Sequence, residues 1–155
     1  MPILNNEMMR SIIMDHSSHP TNKHLPVGEG YTKVHMHSEN CIDDLDIYLK
    51  LEKNLVIDAC FEGIACTISL SSTDIMCDLI KGKTKEEAIY MIEQYNHMMH
   101  EEPFDEDVLE EAIVFINTSK QAARIRCINT SKQAARIRCA TIGWNAASQI
   151  LEEKK

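Results

Sequence analysis

Between residues 31 and 61 the chain alternates apolar and polar positions with a period of two, and after residue 66 the period lengthens to that of a helix. Leu45, Ile47, Leu49 and Leu51 point one way, while Asp46, Tyr48 and Lys50 point the other. Residues 31–37, 45–51 and 55–61 therefore read as three strands. Glu52-Lys53-Asn54 is short enough for a hairpin, so the strands form an antiparallel meander. Ahead of them, residues 5–16 carry Met8, Met9, Ile12, Ile13 and His16 at helical spacing, followed by a loop holding Pro20, Asn22 and Pro26.

From Cys66 onward, Ile68, Ser71, Ser72, Ile75, Met76, Leu79 and Ile80 form a helical stripe, closed by Gly82 just past its end. Thr84 and Glu87 spell a capping box for a helix over 85–99. A shorter helix is expected over 107–116, with Asn117 placed to end it. Thr118 with Gln121, and Thr130 with Gln133, each resemble a further helix start, and the last helix runs to about Leu151. The predicted fold is α+β: a three-stranded antiparallel sheet with helices packed on one side.

A length of 155 residues suits a single domain over 1–155 with one core, and 44% hydrophobic with 26% charged residues is a globular composition. The net charge of −8 leaves no basic surface for nucleic acid or an anionic membrane, so neither is expected as a partner. The acids between Glu101 and Glu111, uninterrupted by any basic residue, read as a solvated loop and helix start. The densest apolar run, 112–116, is far too short to span a membrane. The first residues lack the basic and apolar regions of a signal peptide, and six irregularly spaced cysteines read as reduced thiols, so the expected compartment is the cytoplasm.

Three cysteine settings carry the candidate chemistry. They are Cys41-Ile42-Asp43, then Gly63-Ile64-Ala65-Cys66, then Ala-Arg-Ile-Arg-Cys ending at Cys127 and again at Cys139. The last occurs twice because residues 116–127 recur unchanged as 128–139. Two thiolates and a carboxylate in separate loops, with one later thiolate, supply four ligands for Zn²⁺ or an iron–sulfur centre. Cys66 also falls at a helix N-terminus, where free amides favour thiolate. Taken alone, a buried inert thiol is the commoner use for each cysteine. Cys60 and Cys77 fit that use, on a strand and on a helix. His35 with His37, and His97 with His100, pair on one face of their elements, but each pair lacks a third ligand.

Beyond these settings, Ile13-Met14-Asp15-His16 with Pro20 and Asn22, Phe61-Glu62-Gly63, Cys66-Thr67-Ile68-Ser69, Lys81-Gly82-Lys83, Met98-Met99 and Ala-Arg-Ile-Arg-Cys-Ala-Thr with Trp144 complete a pattern. Across almost its whole length the chain resembles the NifU/IscU-type iron–sulfur cluster assembly family, and within it the SufU-like branch. IscU-type members place histidine before the third cysteine, where this chain has Arg126 or Arg138, and SufU-type members carry a longer segment before it, as residues 67–126 do. The chain has Ile42 and Ala65 where the family usually has glycine.

The resemblance implies Zn²⁺ held by Cys41, Asp43, Cys66 and one late cysteine. It implies that Cys41 accepts persulfide sulfur from a cysteine desulfurase of the SufS type, with downstream iron–sulfur assembly proteins as further partners. A scaffold assembling a [2Fe–2S] cluster on the same residues, and a non-catalytic zinc-stabilised binding module, are the alternatives.

The repeat forces a choice of late cysteine. Counting three, four, seven, eight and eleven residues on from Cys139 gives Ile142, Gly143, Ala146, Ala147 and Ile150, an apolar stripe. The same offsets from Cys127 give Thr130, Ser131, Ala134, Ala135 and Arg138. On one helix the two sulfurs would stand ~18 Å apart and about 120° out of phase, so they cannot share a metal. Cys139 is the expected ligand and Cys127 the alternative, with the extra twelve residues in the connection before the final helix, where insertions cost little.

Overall fold

The computed structural model describes residues 5–38 and 42–153, and for 119–136 the backbone alone. The element order is α1 (Asn6–Ser18), β1 (Tyr31–His37), β2 (Asp44–Glu52), β3 (Leu55–Ile64), α2 (Thr67–Ile80), α3 (Lys85–Met99), α4 (Glu106–Leu109), a 3₁₀ turn (Glu110–Phe115) and α5 (Ile116–Glu153). The sheet has the order β1-β2-β3 and both pairings are antiparallel, as the alternation requires. Lys53 and Asn54 both take left-handed backbone angles, the pair of conformations that lets two residues close a twisted hairpin.

One face of β2 carries Leu45, Ile47 and Leu49, all fully buried, and α2 and α5 pack against that side of the sheet. The other face carries Asp44, Asp46 and Tyr48 and, among the described residues, is covered by no helix, so the expected arrangement holds. The core between the helices is centred on Trp144 and Tyr95, whose rings stack at 3.9 Å, with Phe115 edge-on to Tyr95 at 6.4 Å. Their polar tips converge on Ser72 of α2: its Oγ accepts from Trp144 Nε1 at 2.9 Å and lies 3.1 Å from the Tyr95 hydroxyl. The Tyr95 hydroxyl donates to the Ala140 carbonyl at 2.7 Å, which ties α3 to α5.

Local signals fix most helix ends. Asn5 caps α1 by accepting from Met8 N. Thr84 and Glu87 form the capping box reciprocally, at 3.1 and 3.2 Å. After α2, Gly82 takes φ +81, and its amide donates to the Val56 carbonyl at 2.7 Å, returning the chain to β3.

Two expectations are corrected. The helix expected over 107–116 is split: α4 ends at Leu109, Glu110 adopts φ +45, and a 3₁₀ turn follows. Leu109, Ala112 and Phe115 are all buried at a spacing of three, the period at which a 3₁₀ turn keeps one face inward. The final helix does not begin after the repeat either. α5 takes in both copies, which contain neither proline nor glycine. Asn117 does not stop it; its amide instead donates to Asn6 Oδ1 of α1 at 3.1 Å.

Candidate metal centre

The strand-to-helix junction after β3 brings the separated chemical groups together. Gly63 pairs with Leu45 across the sheet at φ +126, and a Cβ there would lie 2.1 Å from the Asp44 carbonyl oxygen. Only glycine lets β3 run this close to the start of β2. Three residues on, Cys66 leaves the sheet in extended conformation and serves as the N-cap of α2, one position earlier than a residue inside the helix. Its amide donates to Asp43 Oδ1 at 2.9 Å, so the first loop is pinned to the second.

Ser69, one turn into α2, organises the rest. Its hydroxyl lies in hydrogen-bonding contact with Asp43 Oδ2, 3.0 Å from the Cys139 carbonyl and 3.5 Å from Cys66 Sγ. Gly143 then lets α5 approach α2, since a Cβ there would lie 2.5 Å from Thr73 Oγ1. One ligand atom each from Asp43, Cys66 and Cys139 consequently lies within 4.8 Å of the others, with Asp43 and Cys139 buried and Cys66 half-buried.

The Cys66 thiol is pulled down to about 6. Its hydrogen bond with the Cys139 thiol is the main cause and burial opposes it. The Ser69 amide and hydroxyl add to the lowering, while the Asp43 carboxylate works against it. The lowering favours the thiolate form of Cys66. Two sulfurs and a carboxylate converging at such separations suit the donor set of a tetrahedral zinc site, with one position left for a fourth ligand.

Of the expected site residues, Asp43, Cys66 and Cys139 are brought together; Cys41 lies outside the described residues, as does the Cys127 side chain. The positions three, four, seven, eight and eleven after Cys139 are all buried, as their apolar character requires. Ala65 does not adopt a positive φ, so glycine is not needed at that position. Cys60 and Cys77 sit in the core, and burial pushes both thiols upward, Cys60 to about 11.

Sequence reasoning gave no role to Ser69 or to a second cluster further along α2, although Ser69, Asn22 and His16 all stood in the family pattern. Buried Asp74 takes the Asn22 amide and side-chain amide on Oδ1, both at 2.9 Å, and His16 Nδ1 at 2.6 Å on Oδ2. Asn22 also reaches Asp78 at 2.9 Å, and its oxygen accepts from Lys81 Nζ. His16, Asp74 and Asp78 are also close enough for a metal; Asp74 has a donor on each oxygen, as Asp43 does, but no thiol stands beside it. This cluster fastens α1 and the 20–24 loop to α2.

A small α+β protein with a thiol and carboxylate centre where its sheet meets its first packed helix is the class of molecule these features define. Residues 8–128 match the NifU-like N terminal domain family, and the chain belongs to that family. It is similar to the zinc-dependent sulfurtransferase SufU of Bacillus subtilis (strain 168), with 34% identity over 90% of this chain and 86% of the relative. It is also similar to the iron–sulfur cluster assembly scaffold protein IscU of Streptococcus pyogenes serotype M1, at 28% identity over 95% and 84%. A crystal structure from Fervidobacterium islandicum AW-1, described as an iron–sulfur cluster assembly scaffold protein for the SUF system, superposes with TM-score 0.73 at 27% identity, covering 90% of this chain and 93% of that one. The family match ends at residue 128 and so takes in Cys127, whereas the fold seats Cys139 beside Cys66. A match along the sequence follows spacing; packing follows the stripe after the cysteine.

Proposed function

We propose that this chain is a zinc-dependent sulfur-transfer protein of iron–sulfur cluster assembly. The family, and relatives whose names assign them to that process, support the setting. The observation that carries the chemistry is the convergence of Asp43, Cys66 and Cys139 within 4.8 Å. Those three, with Cys41 from two residues before Asp43, would hold Zn²⁺. Bound zinc would keep its thiolates deprotonated near neutral pH.

Cys41 is assigned as the sulfur acceptor. Its thiolate attacks the outer sulfur of a persulfide on the partner desulfurase, of the SufS type. A sulfur–sulfur bond forms on Cys41, the partner's breaks, and the electron pair leaves on the partner cysteine as thiolate, so Cys41 ends as the persulfide. Ser69 and the Cys66 amide hold Asp43 in place while the acceptor exchanges. Downstream iron–sulfur assembly proteins then take the sulfur.

The similarity to IscU supports a second reading, in which a [2Fe–2S] cluster is assembled on the same residues. Arg138 directly before Cys139, where IscU-type members carry histidine, favours the first. Anaerobic purification followed by zinc and iron analysis, and a desulfurase assay with and without the protein, separate them. Zinc with accelerated sulfide release is the expected result. A coloured iron-containing protein that leaves the desulfurase unaffected supports the scaffold, and zinc without stimulation leaves only the zinc-stabilised binding module.

A further inference from the structure

A groove of about 470 Å³ lies between α3 and α4 and has no part in the thiol centre. Buried Met91 and half-buried Val108 form its floor, with the Tyr90 ring beside them. Tyr90 is 44% exposed and is the one aromatic side chain left exposed among the described residues. The groove is preformed. The Tyr90 hydroxyl donates to Asp105 Oδ2 at 3.2 Å, the Asp105 amide donates to Gln94 Oε1 at 2.8 Å, and fully buried Leu109 anchors α4.

The rim is acidic. Glu86 and Glu87 stand on the α3 side and Asp107 and Glu110 on the other, all exposed, against the single cation Lys83. Glu86 accepts from the Asn54 side chain and Glu87 from the Thr84 amide, so both are held in place. The Asp107 and Glu110 carboxylates have no hydrogen-bond or ion-pair partner among the described residues. No three of these acids bring their oxygens within 4.8 Å of one another, so the rim is a spread negative field and not a cage for a metal ion. The acidic run from Glu101 to Glu111, which in the sequence reads as a solvated loop and helix start, therefore supplies one wall of a groove.

We propose that this groove docks a basic amphipathic segment of a partner protein, one that sets lysine or arginine beside leucine or phenylalanine. The methylenes of a long cationic side chain suit the apolar floor while its charged head stays at the rim. An exposed aromatic ring ringed by charge of one sign is the pattern that a partner of opposite sign complements. A second copy of this chain is a poorer occupant, because each copy carries a net charge of −8. The groove shares no residue with the Asp43, Cys66 and Cys139 centre, so it stands or falls separately from the sulfur-transfer reading.

The test titrates zinc-loaded protein into a fluorescein-labelled peptide, Leu-Arg-Lys-Leu-Phe-Arg, with Leu-Glu-Glu-Leu-Phe-Glu as its acidic counterpart. Anisotropy reads the affinity and amide shift mapping reads the place. The basic peptide should bind at least ~10-fold tighter than the acidic one and shift the amides of Tyr90, Met91 and Val108. Raising NaCl from about 50 to about 500 mM should weaken it several-fold. The double variant Asp107→Asn with Glu110→Gln, which leaves the Asp105 cap and the Thr84–Glu87 box intact, should weaken binding by at least ~5-fold, and Tyr90→Ala by about 10-fold. Far-ultraviolet circular dichroism checks that both variants fold. No binding, equal binding of the acidic peptide, shifts centred elsewhere, or an unchanged affinity in the double variant overturns the proposal. A dimer of the protein alone in sedimentation, lost in Tyr90→Ala, gives the groove to a second copy and overturns it as well.

Discussion

Helix α2 holds two polar clusters of similar composition and opposite character. At its start, Asp43 meets Cys66, Ser69 and Cys139, and two of the partners within reach are sulfurs that bring lone pairs. Two turns further on, Asp74 meets Asn22 and His16, which bring N–H donors at 2.6–2.9 Å. Both buried carboxylates are met by hydrogen-bond donors, but only Asp43 also has two thiols beside it, whose lone pairs a cation would stabilise. The first cluster is arranged for chemistry and the second for attachment, although both put ligand atoms within metal-binding reach.

The sharpest way to break this contrast is to remove a thiol. Cys66→Ser and Cys139→Ser should each release the zinc and lower Tm by about 10 °C, the effect of losing a ligand bound hundreds of times above its Kd. Elemental analysis and a thermal melt decide it; full zinc with an unchanged Tm would take that cysteine out of the centre. Asp74→Ala should do the reverse. It leaves two Asn22 N–H groups and His16 without their buried partner, at a cost of about 3 kcal/mol. Zinc content should stay the same, and a loss of zinc matching that of Cys66→Ser would erase the distinction.

A smaller effect comes from pH. Burial lowers the affinity of His16 for its proton, but the hydrogen bond and charge of Asp74, then those of Glu111, outweigh it, and its pKa is raised above 6.5. The folded state therefore holds this proton more tightly than the unfolded chain. The contribution of His16 to stability is complete below 6.5 and is lost as pH rises through the folded value. Urea melts of wild type and His16→Gln should differ most near pH 6 and converge toward pH 9; a constant gap would mean that the ring acts by packing alone.

No effect is expected from Cys127→Ser, which should keep its zinc. Deleting residues 116–127 should also preserve the centre, because 128–139 restore the same sequence. Zinc lost in Cys127→Ser and kept in Cys139→Ser would show that family spacing outranks packing register.

What the sequence determined by itself is whatever depends on near neighbours. The period of two in 45–51, the Thr84–Glu87 box, the Gly82 stop and the stripe following Cys139 each state a local preference, and each stands in the fold. The segment after Glu106 was harder to read, because a spacing of three and a spacing of three or four look alike over ten residues. Only the tertiary structure decided which distant groups meet. Ser69 looks like any helical serine until α5 crosses α2, Asn22 like any loop residue until Asp74 faces it, and His35 lacks a carboxylate until β1 finds its register on β2. Those meetings are set by the packing of whole elements against one core, and the groups that meet lie from 11 to 70 positions apart in the chain.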